Sequence, residues 1–512
     1  MPRTVVAMLA RVTTFSIDGL DTNPIAVEVD VRQGLPNFLI VGLGDMAVRE
    51  ARERVRAALL NSGFEFPQRR VVVNLAPAHQ RKGGSGYDLA IACGVLMASG
   101  QIPKDSLDGR AIFGELSLTG AIRGCSGTLA VAEAADRAGL RGLVVARERA
   151  LEARLVEELD LICAESLRQL ATILDGGERP SLPTRAVVAA SSAMPDLSDV
   201  RGHEVAIRAL RIAAAGGHNL LLRGLPGTGK TMLARRLPSI LPFMTRPEAI
   251  EVTRIQSVVG EHRGSGLATD RPFRAPHHSI SVPGLVGGGL RPTPGEATLA
   301  HHGVLFLDEV TEFQRSALEA LRQPLEDGCL TIVRGQHAAL LPTRFMLVAA
   351  TNPCPCGFGG DSRCRCKAID HARHARKLSG PLIDRIDLVV DVEAPSSHDL
   401  RRSSITTSAA EQQLVQVARE RQEMRLWATG AVSNADMDAR LLREHVVLDA
   451  AARAALEQYY EAGQVSARGR DRALKVAQTI ADLEGKSTVE GQHVHEAMQL
   501  RTGPRPALEV TS

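Results

Sequence analysis

The segment His218-NLLLRGLPGTGKTMLARRL constrains this chain more than any other. Asn219–Arg223 reads as a buried strand, Gly224-Leu225-Pro226-Gly227-Thr228-Gly229-Lys230-Thr231 fits G-x4-G-K-[ST], and MLARRL opens a helix. Strand, loop and helix in that order let backbone N–H groups turn inward around phosphate oxygens, and the helix N-terminus adds partial positive charge. Lys230 is then placed to reach β and γ phosphates, and the Thr231 hydroxyl to ligate Mg²⁺. A second segment, Gly303-VLFLDE, has apolar residues from Val304 to Leu307 followed by Asp308 and Glu309. An apolar parallel strand of this kind delivers two carboxylates to the edge where α/β sheets place ligands. Asp308 is expected to hold Mg²⁺ and Glu309 to polarise the attacking water. A third strand, Phe345-MLVAATNP, ends in Asn352, which could bond a γ-phosphate or the water. Further on, SGPLIDRIDL sets Arg385 in a short polar break, a candidate for a charge supplied across a subunit interface.

The rest of the chain frames this unit. Its 512 residues suggest about three domains. Hydrophobic residues at 44% and charged residues at 23% exclude a mostly disordered or fibrous chain. No run reaches the ~18–20 apolar residues of a membrane helix. Arg11 cuts the short apolar run near Met1, so the N-terminus reads as mature protein and a cytoplasmic location is expected. Residues 1–175 read as a mixed α/β domain, with strands in VVAMLARV, PIAVEVDVR and RRVVVNLAP and helices over Asp45–Asn61 and Asp88–Ser99. Residues 176–196, rich in Pro, Ser, Gly and Ala, read as a linker. Residues 197–393 form a second α/β unit, and 394–512 a helical region without good strand candidates.

Net charge is +3, too mild to establish a nucleic-acid partner, and aromatics are only 3%. If DNA is bound, backbone contacts from Arg, Lys and amides are expected instead of base stacking. Basic residues gather at Arg271, Arg274, Arg291, Arg334, Arg373, Arg376 and Lys377, and TIVRGQ reads as a hairpin tip. Cys354, Cys356, Cys364 and Cys366 fall within thirteen positions, a set of soft ligands suited to a tetrahedral structural Zn²⁺. The single-residue gaps are tighter than in most zinc ribbons, and His371 and His374 stand nearby as substitute ligands. This loop joins the Asn352 strand to the Arg385 segment, so a metal there could stiffen the path between the two. The pairs His277-His278 and His301-His302 are expected to diverge, as sequential side chains do on a strand, which argues against a second metal.

The order GLPGTGKT, VLFLDE, ATNP, PLIDRIDL and SARGRDRALKVAQTIADL resembles an AAA+ ATPase of the magnesium-chelatase-like branch. VRGHEVAIRALRIAAAGGHNLLL, RPFRAPHHSIS, GLVGGGLRPTPGEATLAHHGVLFLDE, ALEALRQPLEDG and NPCPCG narrow the resemblance to the YifB/ComM family. That resemblance implies an α/β fold in three parts: a Lon-protease-like N-terminal domain, an AAA+ P-loop core and a C-terminal helical lid. It implies ATP bound between neighbouring subunits of a ring, usually a hexamer, and hydrolysis coupled to DNA branch migration. Gly224, Gly227, Gly229, Lys230 and Thr231 match the nucleotide loop, Asp308 and Glu309 the Mg²⁺ and water pair, Asn352 the sensor, and Arg385 the finger reaching a neighbour's ATP. Arg468 matches a second sensor on the lid, with Arg472 one turn later as the fallback. Family inserts project into the ring's pore, which makes Arg291 and Arg334 the first candidates for tracking a phosphate backbone. Leu225 stands where Pro is common and His203 where Gln is common. In the Lon-like region Val131 occupies the position of the catalytic Lys, so Ser85 reads as a turn residue and no peptidase activity is expected. A metal-chelatase motor subunit and an ATP-switched regulatory module remain as alternatives.

Overall fold

Alternation sets the first sheet. From Ile25 to Val31 every second residue is buried, the period of a strand with one covered face. The computed structural model describes residues 8–42, 44–78, 82–183, 194–262, 266–289, 293–334, 337–378, 382–401 and 406–502. Strands β1 (Met8–Asp18), β2 (Asp21–Arg32), β3 (Asn37–Val41), β4 (Arg70–Ala76), β5 (Arg110–Phe113), β6 (Gly142–Ala146) and β7 (Asp160–Ala164) form one seven-stranded mixed sheet. Its order is β3-β4-β2-β1-β5-β6-β7, with β1–β2 and β2–β4 antiparallel and the other neighbours parallel. Helix α1 (Met46–Asn61) starts on Asp45, whose carboxylate accepts from the Val48 amide. Helix α2 (Asp88–Ala98) is buried along its whole length, including Asp88, which takes a two-pronged ion pair from Arg54 of α1 at 2.7 and 3.1 Å. The short edge strand β3 is not among the expected strands. With Phe38 buried and Leu39 and Val41 exposed, its five residues carry too little pattern to read.

The second unit is built on a five-stranded, all-parallel sheet. Its strands are β8 (Leu220–Arg223), β9 (Phe273–Arg274), β10 (Val304–Leu307), β11 (Met346–Thr351) and β12 (Leu388–Asp391), in the order β9-β10-β11-β8-β12. Strands β10 and β11 are buried at every position, as covered parallel strands must be. Helices α3 (Glu204–Gly216) and α4 (Lys230–Arg236) pack against it, while α5 (Arg246–Val259) packs on the helix Thr128–Arg137 of the first unit. Between β10 and β11 the segments Cys329–Arg334 and His337–Pro342 pair antiparallel, forming the hairpin expected around TIVRGQ.

Helix α6 (Ala368–Leu378) precedes β12, and α7 (Ser408–Arg425), α8 (Ala467–Leu483) and α9 (Gly491–Thr502) follow it. Val415 of α7 and Ile480 of α8 share one apolar cluster with Leu220 of β8 and Ile212 of α3. One departure from the all-helical expectation is a two-residue parallel pairing of Val447–Leu448 with Thr488–Val489. The first unit docks on α5 through Glu152, a buried carboxylate that accepts from the Leu129 amide at 2.9 Å, from Arg149 at 3.0 Å and from the Ser257 hydroxyl. Among the described residues no helix is long and apolar enough to cross a membrane.

Candidate nucleotide site

Strand β8 leads into the glycine loop, and the backbone explains its composition. Gly227 and Gly229 have φ of +78° and +90°, a region that strains any residue with a Cβ. A Cβ on Gly224 would lie 2.3 Å from the Val392 carbonyl oxygen. Thr228 ties the loop to itself, its hydroxyl donating to the Leu225 carbonyl at 2.9 Å. Lys230 opens α4, and its ammonium donates to the carbonyls of Gly224 and Leu225 at 2.9 and 2.8 Å and to Oδ1 of Asn352 at 3.1 Å. Burial lowers the Lys230 pKa, and Asp308 and Glu309 counter that shift.

Strand β10 brings up the carboxylates. The Thr231 hydroxyl donates to Asp308 Oδ2 at 2.7 Å, which joins two hard oxygen donors of the kind Mg²⁺ takes. Glu309 is exposed and sits at φ +49°, a left-handed conformation uncommon for a residue with a side chain. Strain at such a position is held by the surrounding structure and is concentrated at functional sites. Here the Glu309 amide donates to Asp308 Oδ1 at 3.0 Å. Asn352 follows the end of β11, so Lys230, Thr231, Asp308 and Asn352 converge on one edge of the sheet. Glu309 is exposed next to Asp308, and its charge acts on Lys230. His203 is buried next to Gly229, where a Cβ would meet its ring nitrogen at 3.3 Å. It lines a cavity with Val390, Val392, Asp399 and Leu500, and burial lowers its pKa.

The arginines lie elsewhere. Arg385 is ion-paired with Glu326, and its backbone carbonyl accepts from Asn219 Nδ2 at 2.9 Å. Burial, and then the neighbouring charges of Arg322, Arg472 and Arg468, pull its pKa down. Arg385 and Arg472 line a cavity of about 730 Å³ together with Glu326, Asp387, Arg419 and Lys475. Arg468 is exposed at the start of α8 and Arg472 is half-buried one turn on. The cationic cluster therefore gathers the candidate finger and both candidate second sensors.

The basic-patch readings divide. Arg271 is paired with Glu248 and donates to the carbonyls of Pro242, Phe243 and His302. Arg274 is paired with Glu296 and Glu261, so both are structural ion pairs. Arg334 ends the first strand of the hairpin, and Arg291 lies outside the described residues. Arg373, Arg376 and Lys377 are exposed on α6. In the first unit the Ser85 hydroxyl donates to Glu115, and Val131 is fully buried among apolar side chains.

The four clustered cysteines come together with free thiols. Sγ separations are 3.3 Å for Cys354–Cys356, 3.9 Å for Cys354–Cys364 and 3.7 Å for Cys356–Cys364, and Cys366 completes a group within 4.8 Å. His371 Nε2 lies 3.5 Å from Cys364 Sγ.

The expected divergence is corrected for both histidine pairs: the rings of His277 and His278 lie 4.0 Å apart, and the closer approach is between His301 and His302. They lie in a turn, not on a strand, and a φ of +57° at His302 folds the rings to within 3.9 Å of each other. Both Nε2 atoms bond Glu251 Oε2, at 2.9 and 2.8 Å. This is still a poor metal site. His301 Nδ1 accepts from the Arg344 amide at 3.0 Å, so its proton sits on Nε2 and donates to Glu251. A metal-ligating imidazole instead donates from its second nitrogen. Burial lowers the His301 pKa from 6.5 to about 4. The neutral ring therefore contributes stability that is complete above the unfolded value and is lost as pH falls from about 6.5 towards 4. Urea midpoints are expected to drop across that window in the wild type and to vary less steeply in His301→Gln. Parallel pH profiles would contradict this.

An all-parallel sheet with this loop and acidic pair at one edge is consistent with the P-loop AAA+ class. The family profile described as magnesium chelatase, subunit ChlI, matches residues 196–400, the profile for subunit ChlI of Mg-chelatase matches 27–149, and the ChlI C-terminal profile matches 405–501. YifB of Salmonella typhimurium is 42% identical over 495 residues, covering 96% of this chain and 97% of that protein. YifB of Escherichia coli is 42% identical over 498 residues, with the same coverage. The competence protein ComM of Haemophilus influenzae is 40% identical over 498 residues, covering 96% of this chain and 97% of its own length. The chain belongs to the YifB/ComM family of magnesium-chelatase-like proteins.

Proposed function

We propose that this protein is a cytoplasmic, ring-forming AAA+ ATPase, hexameric in its working state, that couples ATP hydrolysis to DNA remodelling as a ComM-like branch-migration helicase. The observation that carries the ATPase reading is the convergence of Lys230, Thr231, Asp308 and Asn352 on one sheet edge. In this reading the loop Gly224–Gly229 cradles the phosphates, with amides from Gly224, Leu225, Gly227, Thr228 and Gly229 around Pro226, which has none, and Lys230 holds the β and γ oxygens. Thr231 and Asp308 would hold Mg²⁺, which when bound would supply positive charge against the phosphates. Glu309 orients and deprotonates water, while Asn352 fixes the γ-phosphate. Arg385 faces a neighbouring subunit's nucleotide, its cationic surroundings support a site completed between chains, and Arg468 is the second sensor on the lid. The pairing of Arg385 with Glu326 is exchanged for the anion on assembly.

The family match and a relative named as a competence protein support the DNA reading. Arg334 at the hairpin and Arg291 are assigned to the phosphate backbone of single-stranded or branched DNA. The first unit is read as a Lon-like domain without peptidase activity, α7–α9 as the lid, and Zn²⁺ as a structural ion on Cys354, Cys356, Cys364 and Cys366.

A three-stranded branch-migration assay beside an ATPase assay tests the reading. Wild type is expected to move the branch and to hydrolyse ATP faster with DNA, and less so as salt rises. Lys230→Ala is expected to lose both activities by about 10²-fold or more, as removal of a charge stabilising the transition state does. ATPase activity unaffected by every DNA form would remove the DNA motor and favour the chelatase-type or regulatory alternative.

A further inference from the structure

The segment 353–367, which carries the cysteines, has no regular secondary structure, and only Cys354 and Gly357 in it are buried. Apolar burial therefore contributes little to holding it in one conformation. Even so, it touches the nucleotide site along three separate routes. Cys354 is joined to Asn352 through a single residue, Pro353, whose ring fixes the backbone. Gly357, at φ +86°, lies so close to the phosphate loop that a Cβ there would be 2.7 Å from Pro226 Cγ. Helix α6 provides the third route. His371 reaches Cys364 at 3.5 Å and, three residues on along the same face, the buried His374 donates from Nε2 to the Asn352 carbonyl at 2.9 Å.

The thiols are spaced for a metal. Zn–S bonds of about 2.3 Å in a tetrahedron place sulfurs about 3.8 Å apart; the Sγ atoms of Cys354, Cys356 and Cys364 lie 3.3 to 3.9 Å from one another, and that of Cys366 lies within 4.8 Å of all three. Backbone amides of Phe358 and Arg365 donate to Cys356. Soft thiolates select a thiophilic divalent ion and leave Mg²⁺ to the oxygen ligands at Thr231 and Asp308.

We propose that a thiophilic divalent ion held by Cys354, Cys356, Cys364 and Cys366 is a positioning device for the nucleotide site, fixing Asn352 and the phosphate loop so that ATP turnover depends on its occupancy. This rests on the ATPase reading and adds a second metal requirement to it. The ion acts through Pro353, through Gly357 against Pro226 and through α6. His374 is the positioning residue that ties the helix to Asn352. It touches no reacting atom.

The test uses the full-length chain. As purified it is expected to carry one Zn²⁺ per chain by elemental analysis. Removing it with a zinc-selective chelator, with Mg²⁺ in excess, is expected to lower kcat by about tenfold or more, and added Zn²⁺ restores turnover. His374→Ala is expected to keep the metal yet lose kcat at unchanged KM. His374→Gln, whose amide reaches the same carbonyl, is expected to recover it. Should Cys364→Ser fail to fold, the chelated wild type and the His374 variants still decide the matter. Full turnover without metal, wild-type kcat in His374→Ala, or a chain that takes up no Zn²⁺ would overturn the proposal. If the holoprotein hydrolyses no ATP, the ATPase reading fails, and amide exchange judges the coupling separately. Faster exchange over 224–231 and 346–352 on metal removal supports it, and unchanged exchange ends it.

Discussion

Glu309→Gln is expected to bind ATP and barely hydrolyse it. The substitution keeps size and shape but removes the carboxylate that would take a proton from water, a contribution of about 10²–10⁴ in rate. Every group assigned to nucleotide binding is left in place: Lys230 keeps its bond to Asn352, and Thr231 keeps its bond to Asp308. Glu309 is exposed at the strand end and its side chain holds none of these contacts, so the fold is expected to be unaffected. Filter binding of labelled ATP beside single-turnover hydrolysis separates the two effects. Turnover close to wild type would remove Glu309 from the chemistry, and loss of ATP binding would make it a binding group instead.

Arg385→Ala is expected to lose about 10³–10⁵ in kcat, the range of a guanidinium that stabilises charge on a transferring phosphoryl group. Arg385 is held in a cationic neighbourhood with Arg322, Arg468 and Arg472, and burial with their repulsion lowers its pKa. Such a cluster is relieved by an incoming polyanion. The backbone there is secured independently by Asn219, so truncating the side chain is expected to leave the fold intact. ATP affinity is expected to stay near wild type, because the phosphate loop that grips the nucleotide keeps all of its groups. Arg385→Lys is not expected to rescue turnover, since an ammonium lacks the two-pronged fork. Full turnover in Arg385→Ala would contradict its assignment.

The nucleotide loop and the acidic strand were legible because their chemistry is contiguous. Glycines at fixed spacing answer a local backbone demand, and four apolar residues followed by two acids describe one strand and its end. The contacts that position these groups were not legible. His374 bonds Asn352 from 22 residues away and Glu251 bonds His301 across 50, and nothing local in either segment names its partner. Charge runs misled for the same reason. Arg271 and Arg274 look like a basic patch along the chain, yet Glu248, Glu261 and Glu296 neutralise them in space. The His301-His302 expectation failed on local geometry, because a single left-handed residue reverses the divergence a strand would impose. The cysteine group was legible as a cluster of thiols. Its reach to Pro226 through Gly357 was not.

Mixing Lys230→Ala with Arg385→Ala tests the shared site most directly. Each variant alone is expected to be inactive, one for want of the phosphate-loop charge and the other for want of the finger. In mixed rings, the intact loop of an Arg385→Ala chain meets the intact Arg385 of a Lys230→Ala chain, and ATP turnover should reappear on mixing and rise with the fraction of such pairs. No recovery in rings shown to exchange subunits, or undiminished turnover by wild type diluted to a monomer, would contradict a nucleotide cleaved between chains.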